Sequence, residues 1–169
     1  MAKEHTLFEV VITAIIVNKE SKYLITRRSP NKKRFPGMWT VPGGHLDPED
    51  FMGYPKDTEH YWYNVLEKAL TREIKEEVGL EIEHVRYVTS LATEHPSTSS
   101  GQVKAHSVVI SCLADYKSGK VELQEGETDK AEWVSVKEAK KYDLIDGIYD
   151  EIQMADALRR GEKYEWKRH

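Results

Sequence analysis

The segment that ends at Gly79 has the apolar spacing of a helix that packs on a protein core. Asp57 or Thr58 can serve as its N-cap, and Gly79 supplies the usual stop. The apolar positions follow the helical period through Val65, Leu66, Ala69, Leu70, Ile74 and Val78. One face of this helix must therefore be covered by another layer of structure.

Strand-like runs lie on both sides of this helix. Before it, residues 8–17 are rich in β-branched side chains, and residues 23–26 and 38–41 are shorter runs that end at turn residues, the last at Pro42-Gly43-Gly44. After it come strand-like runs at 81–93, 103–116, 121–123 and 131–136, with a loop at 94–102 and helical composition at 137–142 and 148–160. This order predicts a mixed α/β fold.

Length and charge narrow the class of protein. The 169 residues indicate one domain, or one domain with a short appendage, and the net charge of −4 gives no support to a nucleic-acid binder. No run approaches the roughly 20 apolar residues of a membrane span, so we expect no membrane partner and a cytoplasmic location. Cys112 is the single cysteine, which excludes an intrachain disulfide and is typical of a buried strand residue.

Three carboxylates share one side of the central helix. With Glu73 at the origin of a helical wheel, Glu76 falls near 300° and Glu77 near 40°, so they occupy an arc of roughly 100° beside the apolar stripe. Lys68 and Lys75 lie at about 200°, on the opposite side. The acids therefore lie next to the core, away from the lysines that could neutralise them.

Two interpretations of this acidic cluster remain open on the residues alone. It can be the solvated face of an ordinary helix, or it can be a site for Mg²⁺, which prefers hard oxygen ligands. Like charges four residues apart destabilise a helix, and the cost grows towards a core unless a metal pairs them. The two interpretations are evenly balanced at this point.

The same segment resembles the signature of the Nudix hydrolases, Gly-x₅-Glu-x₇-Arg-Glu-U-x-Glu-Glu-x-Gly-U, in which U is aliphatic. Residues 72–80 match its second half without a break, and its first half begins at Gly44 within Trp39-Thr-Val-Pro-Gly-Gly-His. The resemblance implies a Nudix-type α/β/α sandwich with a mixed β-sheet and a signature loop–helix. We expect this domain to cover residues 6–160, with the signature at 44–80 and a C-terminal tail at 161–169.

The first half of the signature departs from the family pattern. Counting from Gly44 places its glutamate at Asp50, whereas counting back from Arg72 places it at Asn64. About fourteen residues are therefore inserted, at about 50–63. In the family this glutamate mainly supports the loop, and Asp50 can substitute for it. We predict that the insertion is a substrate-selecting flap or a dimer contact, because long loops in compact domains are commonly functional.

The resemblance also assigns metal ligands and catalytic groups. It makes Glu73, Glu76 and Glu77 metal-binding carboxylates, with Glu73 or Glu76 as the base for the attacking water. Arg72 would hold Glu73 in place, and the Gly43 carbonyl would be a further ligand. A carboxylate ahead of the Trp133-Val134 strand often completes the set in the family. Glu127 is our choice, with Glu125 and Asp129 as close competitors.

The resemblance predicts a Mg²⁺-dependent hydrolase, with Mn²⁺ as a substitute, that cleaves a phosphoanhydride bond in a nucleoside diphosphate derivative. Candidate substrates are a nucleoside triphosphate, an oxidised purine triphosphate, ADP-ribose and a dinucleoside polyphosphate. Two other functions share the fold, namely a non-catalytic nucleotide sensor and an isomerase of the isopentenyl diphosphate type. The intact glutamates disfavour the sensor, and the mid-strand position of Cys112 disfavours the isomerase.

Three further residues are candidates for substrate binding. Arg27 and Arg28 follow the second strand, where they can contact a phosphate or a base, and a solvated basic loop is the equally plausible alternative. Trp39 could stack on a base, although packing beneath the Gly43-Gly44 loop is favoured. The expected partners are a small nucleotide substrate and, through the aromatic run at 61–63, a second copy of the chain.

Overall fold

The computed structural model describes residues 7–94 and 106–168. Most of the predicted loop at 94–102 and the beginning of the strand predicted at 103 lie outside the described residues. The elements are β1 (Phe8–Val17), β2 (Tyr23–Arg28), β3 (Trp39–Thr40), β4 (Gly43–His45), α1 (Glu49–Met52), α2 (Val65–Val78), β5 (Glu81–Glu94), β6 (His106–Ser118), β7 (Thr128–Val134), α3 (Val136–Ala139) and α4 (Ile148–Arg159).

The seven strands of the described chain form one mixed sheet. Its main order is β3-β2-β1-β6-β5, while β4 pairs with β1 and β7 pairs with β2. The β1–β6 pair is parallel and the other pairs are antiparallel. Strand β1 is central and covered on both faces, which explains why its second half is a continuous apolar run rather than an alternating one.

Helices cover the two faces of this sheet. On one face, α2 buries Leu70 and Ile74 against Ile12 and Ala14 of β1. On the other face, Ile152 and Ala155 of α4 pack in one cluster with Ile15 and Leu113 of the sheet. The same cluster contains Val17, Tyr23 and Ile25. Alternate residues of β1 thus enter opposite cores. The prediction of an α/β/α sandwich with a mixed sheet is confirmed.

The central helix begins later than the sequence predicts. It starts at Val65, after Asn64 in the left-handed conformation, rather than at a cap on Asp57 or Thr58. Those two side chains instead accept hydrogen bonds from the backbone N–H groups of Tyr63 and Tyr61, within the insertion. Local polar side chains that bond to nearby backbone in this way compete with helix formation.

Two strand predictions are also corrected. Residues 121–123 are not a strand, because the N–H groups of Glu122 and Gln124 donate to the carbonyls of Val78 and Glu77 at the end of α2. They satisfy carbonyls that a helix terminus leaves without partners. The predicted strand at 38–41 was expected to stop at Pro42-Gly43-Gly44. Gly43 and Gly44 instead belong to a separate strand, β4. Pro42 separates it from β3, and β4 pairs with β1.

None of the helices that the structure describes is both long and apolar enough to cross a membrane.

Candidate active site

Strand β4, which precedes α1, lies directly against α2. A Cβ atom added at Gly44 would lie 2.1 Å from the carboxyl carbon of Glu73. One added at Gly43 would lie 2.2 Å from the carbonyl oxygen of Ile12. Both distances are far below a normal contact, so both positions require glycine. Gly44 lets the Glu73 carboxylate approach the backbone of β4, and Gly43 lets β4 lie close to the backbone of β1.

Glu77 fastens α2 to two other segments. Its carboxylate accepts hydrogen bonds from the Gly43 N–H at 2.9 Å and from the Thr128 hydroxyl of β7 at 2.8 Å. Burial raises the pKa of the Glu77 carboxyl, while these two hydrogen bonds oppose the rise. The nearby carboxylates of Glu73 and Glu127 raise this pKa further. An acid in this position would be stabilised by a cation.

Arg72 connects four acidic side chains. Its guanidinium donates to Glu73 at 3.0 Å and to Glu76 at 3.1 Å, and it lies 3.6 Å from Asp47. It also makes a two-pronged pair with Asp50, at 2.5 and 2.9 Å, and donates to the His45 carbonyl at 3.2 Å. Asp50 and Glu73 raise the pKa of Arg72 above its usual value, and the hydrogen bond that Arg72 donates to Asp50 has the largest effect.

Asp50 occupies the place that the first signature glutamate has in the family pattern. Its side chain is buried, and one oxygen also accepts the backbone N–H of Asp47 at 2.9 Å. The hydrogen bonds from Arg72 lower the pKa of this carboxyl. Asn64, the other position that the counting allowed, instead precedes the first turn of α2. Of the two counted positions, Asp50 is the one that contacts Arg72.

The acids around Arg72 differ in exposure. The side chain of Glu76 is 52% exposed and that of Glu73 is 19% exposed. Burial raises the pKa of Glu73, and Glu76 and Asp47 add to the rise, while Arg72 opposes it. Within the described residues, no three carboxylate, imidazole or thiol groups converge closely enough to hold a metal as they stand. The Arg72 guanidinium is the cation that bridges Glu73 and Glu76 in this structure.

The loop that carries Glu127 lies beside the same helix. Glu127 forms an ion pair with Lys32, and its backbone carbonyl accepts the N–H of Ser29 at 2.9 Å. The next residue, Thr128, is the one that bonds to Glu77. Of its two competitors, Asp129 pairs with Arg27, and Glu125 lies two residues before Glu127 on the exposed turn. Thr128 was not singled out in the sequence, because a threonine after an acidic turn carries no distinctive spacing.

The three candidate substrate residues have partners within the protein. Arg27 makes a two-pronged pair with Asp129, at 2.8 and 2.5 Å. Arg28 donates to the Arg34 carbonyl at 2.9 Å. Trp39 packs edge-on against Tyr142 with a centroid distance of 4.8 Å, and it belongs to the core beneath α4. Substrate contact by any of the three stays a prediction.

The insertion forms a small folded unit beside Arg72. The Trp62 ring packs on Phe51 at a centroid distance of 5.4 Å, and its N–H donates to the Tyr54 carbonyl. A cavity of about 430 Å³ lies between this unit and α2, and its wall includes Asp50 and Arg72. The insertion is therefore anchored next to the acidic cluster. Its role as a flap or a dimer contact stays a prediction.

A family model of the NUDIX domain matches residues 7–152, which include the whole of this site. The chain belongs to the Nudix hydrolase family. The family prediction made from residues 72–80 is thereby confirmed.

Nudix relatives of known name share this region. The chain is 26% identical over 146 residues to the "NAD-capped RNA hydrolase NudC" of Chromobacterium violaceum, a match that covers 86% of this chain and 43% of that protein. It is 30% identical over 125 residues to the human "NAD-capped RNA hydrolase NUDT12", covering 73% and 21% respectively. The chain thus spans less than half the length of these relatives.

Solved Nudix structures show the same fold. The MutT protein of Methanosarcina mazei Go1 superposes with a TM-score of 0.64 at 22% identity, covering 95% of this chain and all of that one. The NUDIX domain of Shewanella oneidensis NrtR, solved with ADP-ribose, has a TM-score of 0.61 at 18% identity and covers 95% and 90%. At such identities these structures support the fold and leave the substrate open.

Proposed function

We propose that this Nudix protein hydrolyses a phosphoanhydride bond in a nucleoside diphosphate derivative with the help of Mg²⁺. The observation that carries the proposal is the position of Glu73 and Glu77 on α2 directly against Gly44 and Gly43 of β4, with Glu76 bound to the same Arg72 as Glu73. The activity in the names of the NudC and NUDT12 relatives supports the reaction class.

The donor set fits Mg²⁺ or Mn²⁺ better than zinc. Carboxylate oxygens of Glu73, Glu76 and Glu77, together with the Gly43 carbonyl, are the hard ligands that these ions prefer. Glu127 is the further carboxylate that we propose. The raised pKa values of Glu73 and Glu77 mark where a cation would relieve repulsion. When bound, Mg²⁺ would offset phosphate charge and make water easier to deprotonate.

Glu73 and Glu76 are the groups that can accept the proton of the attacking water. Both oxygens of Glu77 are already committed to the Gly43 N–H and the Thr128 hydroxyl, so this carboxylate is fixed in place. Glu73 and Glu76 each accept a hydrogen bond from Arg72 through one carboxylate oxygen. A positioned carboxylate of this kind is a suitable general base.

The substrate is proposed at two levels of detail. A metal bound by Glu73, Glu76 and Glu77 could hold any nucleoside diphosphate linkage, whether in ADP-ribose, a triphosphate or a dinucleotide. The activity in the names of the NudC and NUDT12 relatives adds a second candidate, an NAD cap at the end of an RNA. The net charge of −4 favours a small nucleotide over a long RNA, because an RNA binder usually carries a basic surface.

A substrate panel tests this proposal. The purified chain is incubated with Mg²⁺ and each of GTP, 8-oxo-dGTP, ADP-ribose, NAD⁺, diadenosine tetraphosphate and an NAD-capped RNA oligonucleotide, and the products are separated by ion exchange. We expect a nucleoside monophosphate, or a 5′-monophosphate RNA end, from at least one substrate. Tight binding of a nucleotide without turnover of any substrate would instead identify the non-catalytic sensor.

A further inference from the structure

The cavity of about 430 Å³ between the insertion and α2 lies next to the acidic cluster. Arg72 is part of its wall and donates hydrogen bonds to Glu73 and Glu76. Lys68, Arg72 and Glu76 follow one another at intervals of four residues on α2, so they form one row with a rise of about 6 Å from each to the next. A ligand that extends from the acidic cluster along this row therefore reaches the cavity.

Two of the three acids in the cavity wall are already paired. Asp50 makes its two-pronged pair with Arg72, and Asp47 lies 3.6 Å from the same guanidinium. The third acid, Glu49, lies exposed in the first turn of α1. Its carboxylate makes no hydrogen bond or ion pair with any other residue that the structure describes. Glu49 therefore offers acceptor oxygens to a ligand.

Lys68 supplies hydrogen-bond donors to the same cavity. Its ammonium group is 3.9 Å from the Oδ2 atom of Asp57, which is too long for a hydrogen bond. That oxygen already accepts the backbone N–H of Tyr63 at 2.8 Å. Among the described residues the Lys68 ammonium thus has an acid nearby but no hydrogen-bond acceptor, so its three donors are available to a ligand.

Tyr54 adds an aromatic ring to the cavity wall. It belongs to the inserted segment, and 59% of its surface is exposed. Its backbone fixes its position, because its N–H donates to the Phe51 carbonyl at 3.1 Å and its own carbonyl accepts the Trp62 ring N–H at 2.9 Å. The Lys68 ammonium lies 6.0 Å from the centre of the Tyr54 ring. The insertion thus places an aromatic surface beside a free donor.

This combination of groups fits a sugar. Hydroxyl groups both donate and accept hydrogen bonds, so neighbouring hydroxyls of one sugar can bind the Glu49 carboxylate and the Lys68 ammonium together. Dinucleotide-binding folds likewise use an acidic side chain to bind ribose hydroxyls. The C–H face of a sugar can pack on the ring of Tyr54. A terminal phosphate fits less well, because Glu49 and Asp47 would repel its negative charge.

We propose that this cavity binds the sugar joined to the distal phosphate of a nucleoside diphosphate sugar, with Glu49 and Lys68 bonding to its hydroxyls and Tyr54 packing on its face. The proposal rests on the proposed function, because it assumes that the diphosphate binds at the carboxylates of α2. It narrows the candidate substrates to those with a sugar on each side of the diphosphate, such as ADP-ribose, and disfavours nucleoside triphosphates. The insertion would then select the substrate.

Calorimetric titration with analogues whose α,β linkage cannot be hydrolysed tests this subsite by binding alone. The probes are α,β-methylene ADP-ribose, α,β-methylene ADP and α,β-methylene ATP, each in the presence of Mg²⁺. They share the adenosine and the methylene bridge, and they differ in the group beyond the β-phosphorus, which is a ribose, nothing or a phosphate. We expect α,β-methylene ADP-ribose to bind at least about tenfold more tightly than either of the others.

Two substitutions in the cavity wall should remove this preference. Glu49→Ala should weaken binding of α,β-methylene ADP-ribose by about tenfold, and Tyr54→Ala by about fivefold, while α,β-methylene ADP stays within about twofold of the wild type. Tyr54→Ala keeps the backbone groups that hold the insertion, so its near-UV circular dichroism should show a folded protein. Glu59→Ala and Tyr61→Ala are the matched controls, because both lie exposed in the same insertion and outside the cavity wall. They should bind all three analogues as the wild type does.

Equal affinities for the ADP-ribose and ADP analogues would overturn the assignment, as would equal losses in Tyr54→Ala and Tyr61→Ala. Tightest binding of α,β-methylene ATP, reduced in Lys68→Ala, would assign the cavity to a terminal phosphate instead. Each of these results is compatible with hydrolysis in the substrate panel, which would leave the proposed function standing. Selective binding of the ADP-ribose analogue by a chain that hydrolyses no substrate would support the sugar subsite and refute the proposed reaction.

Discussion

Glu76→Gln is expected to lower kcat of hydrolysis by about 10²-fold or more while the protein stays folded. Glu76 is the most exposed of the three helix carboxylates, and glutamine keeps its size. The amide oxygen can still accept the hydrogen bond from Arg72, so packing around the helix should not change. The substitution removes one negatively charged ligand of the proposed Mg²⁺ site. Steady-state kinetics at saturating Mg²⁺ measure the effect.

Glu67→Gln is the matched control for this variant. Glu67 lies at an exposed position in the first turn of the same helix, one of the variable x₇ positions of the signature. Its substitution changes the net charge equally and should leave kcat within about twofold of the wild type. If Glu76→Gln is as active as Glu67→Gln, the carboxylates of α2 are not the metal site. The acidic face would then be a solvated helix surface.

Asp50→Asn is expected to destabilise the fold by about 3 kcal/mol near neutral pH, the lower end of the range for breaking a buried ion pair. The lower end applies because Asp50 is buried while the Arg72 side chain is 32% exposed. An asparagine here turns an NH₂ group towards a guanidinium that can only donate. Urea unfolding of the two proteins, with equal m-values, gives the difference in free energy.

The same variant makes a prediction about pH. Arg72 holds the pKa of Asp50 below its ordinary value. A carboxyl with a lowered folded-state pKa stabilises the fold above its unfolded pKa of about 3.9, and this contribution is lost as pH falls through the folded value. The difference in the free energy of unfolding between the wild type and Asp50→Asn should therefore be constant from about pH 5 to 7 and narrow below about pH 4. Asp143→Asn, at an exposed loop position, should show no comparable gap. A gap that widens on acidification would contradict the assigned pair.

The sequence predicted best where a periodic pattern coincided with a fixed spacing. The apolar period of α2 and the stop at Gly79 gave the end of the helix, and the run from Arg72 to Leu80 gave the family. The β-branched run of β1 gave the central strand. These features are local, because the residues that define them are neighbours in the chain.

The features that the sequence did not predict depend on contacts between distant segments. The beginning of α2 was misplaced because Asp57 and Thr58 can cap either a helix or the backbone of their own loop, and only the folded insertion decides. The choice between Asp50 and Asn64 depended on which of them reaches Arg72. The spacing of residues along the chain does not show which of the two contacts Arg72.

The sequence of α4 alone could have shown that Glu151 is a buried acid. It falls three residues after Ile148, directly before Ile152 and four before Ala155, within the apolar stripe of α4. An acid inside an apolar stripe is as unusual there as the acids beside the stripe of α2. The strand residue that it contacts, Ser111, became visible only from the folded structure.

The dependence of hydrolysis on metal tests the central claim most directly. The best substrate of the panel is incubated with protein that has been exhaustively chelated, and Mg²⁺ or Mn²⁺ is then added back. If Glu73, Glu76 and Glu77 bind the metal, hydrolysis should fall to background after chelation and return with either ion. Zinc should restore little, because the donor set is all oxygen. Hydrolysis that continues undiminished in metal-free buffer would contradict the assignment of Glu73, Glu76 and Glu77 as a metal site.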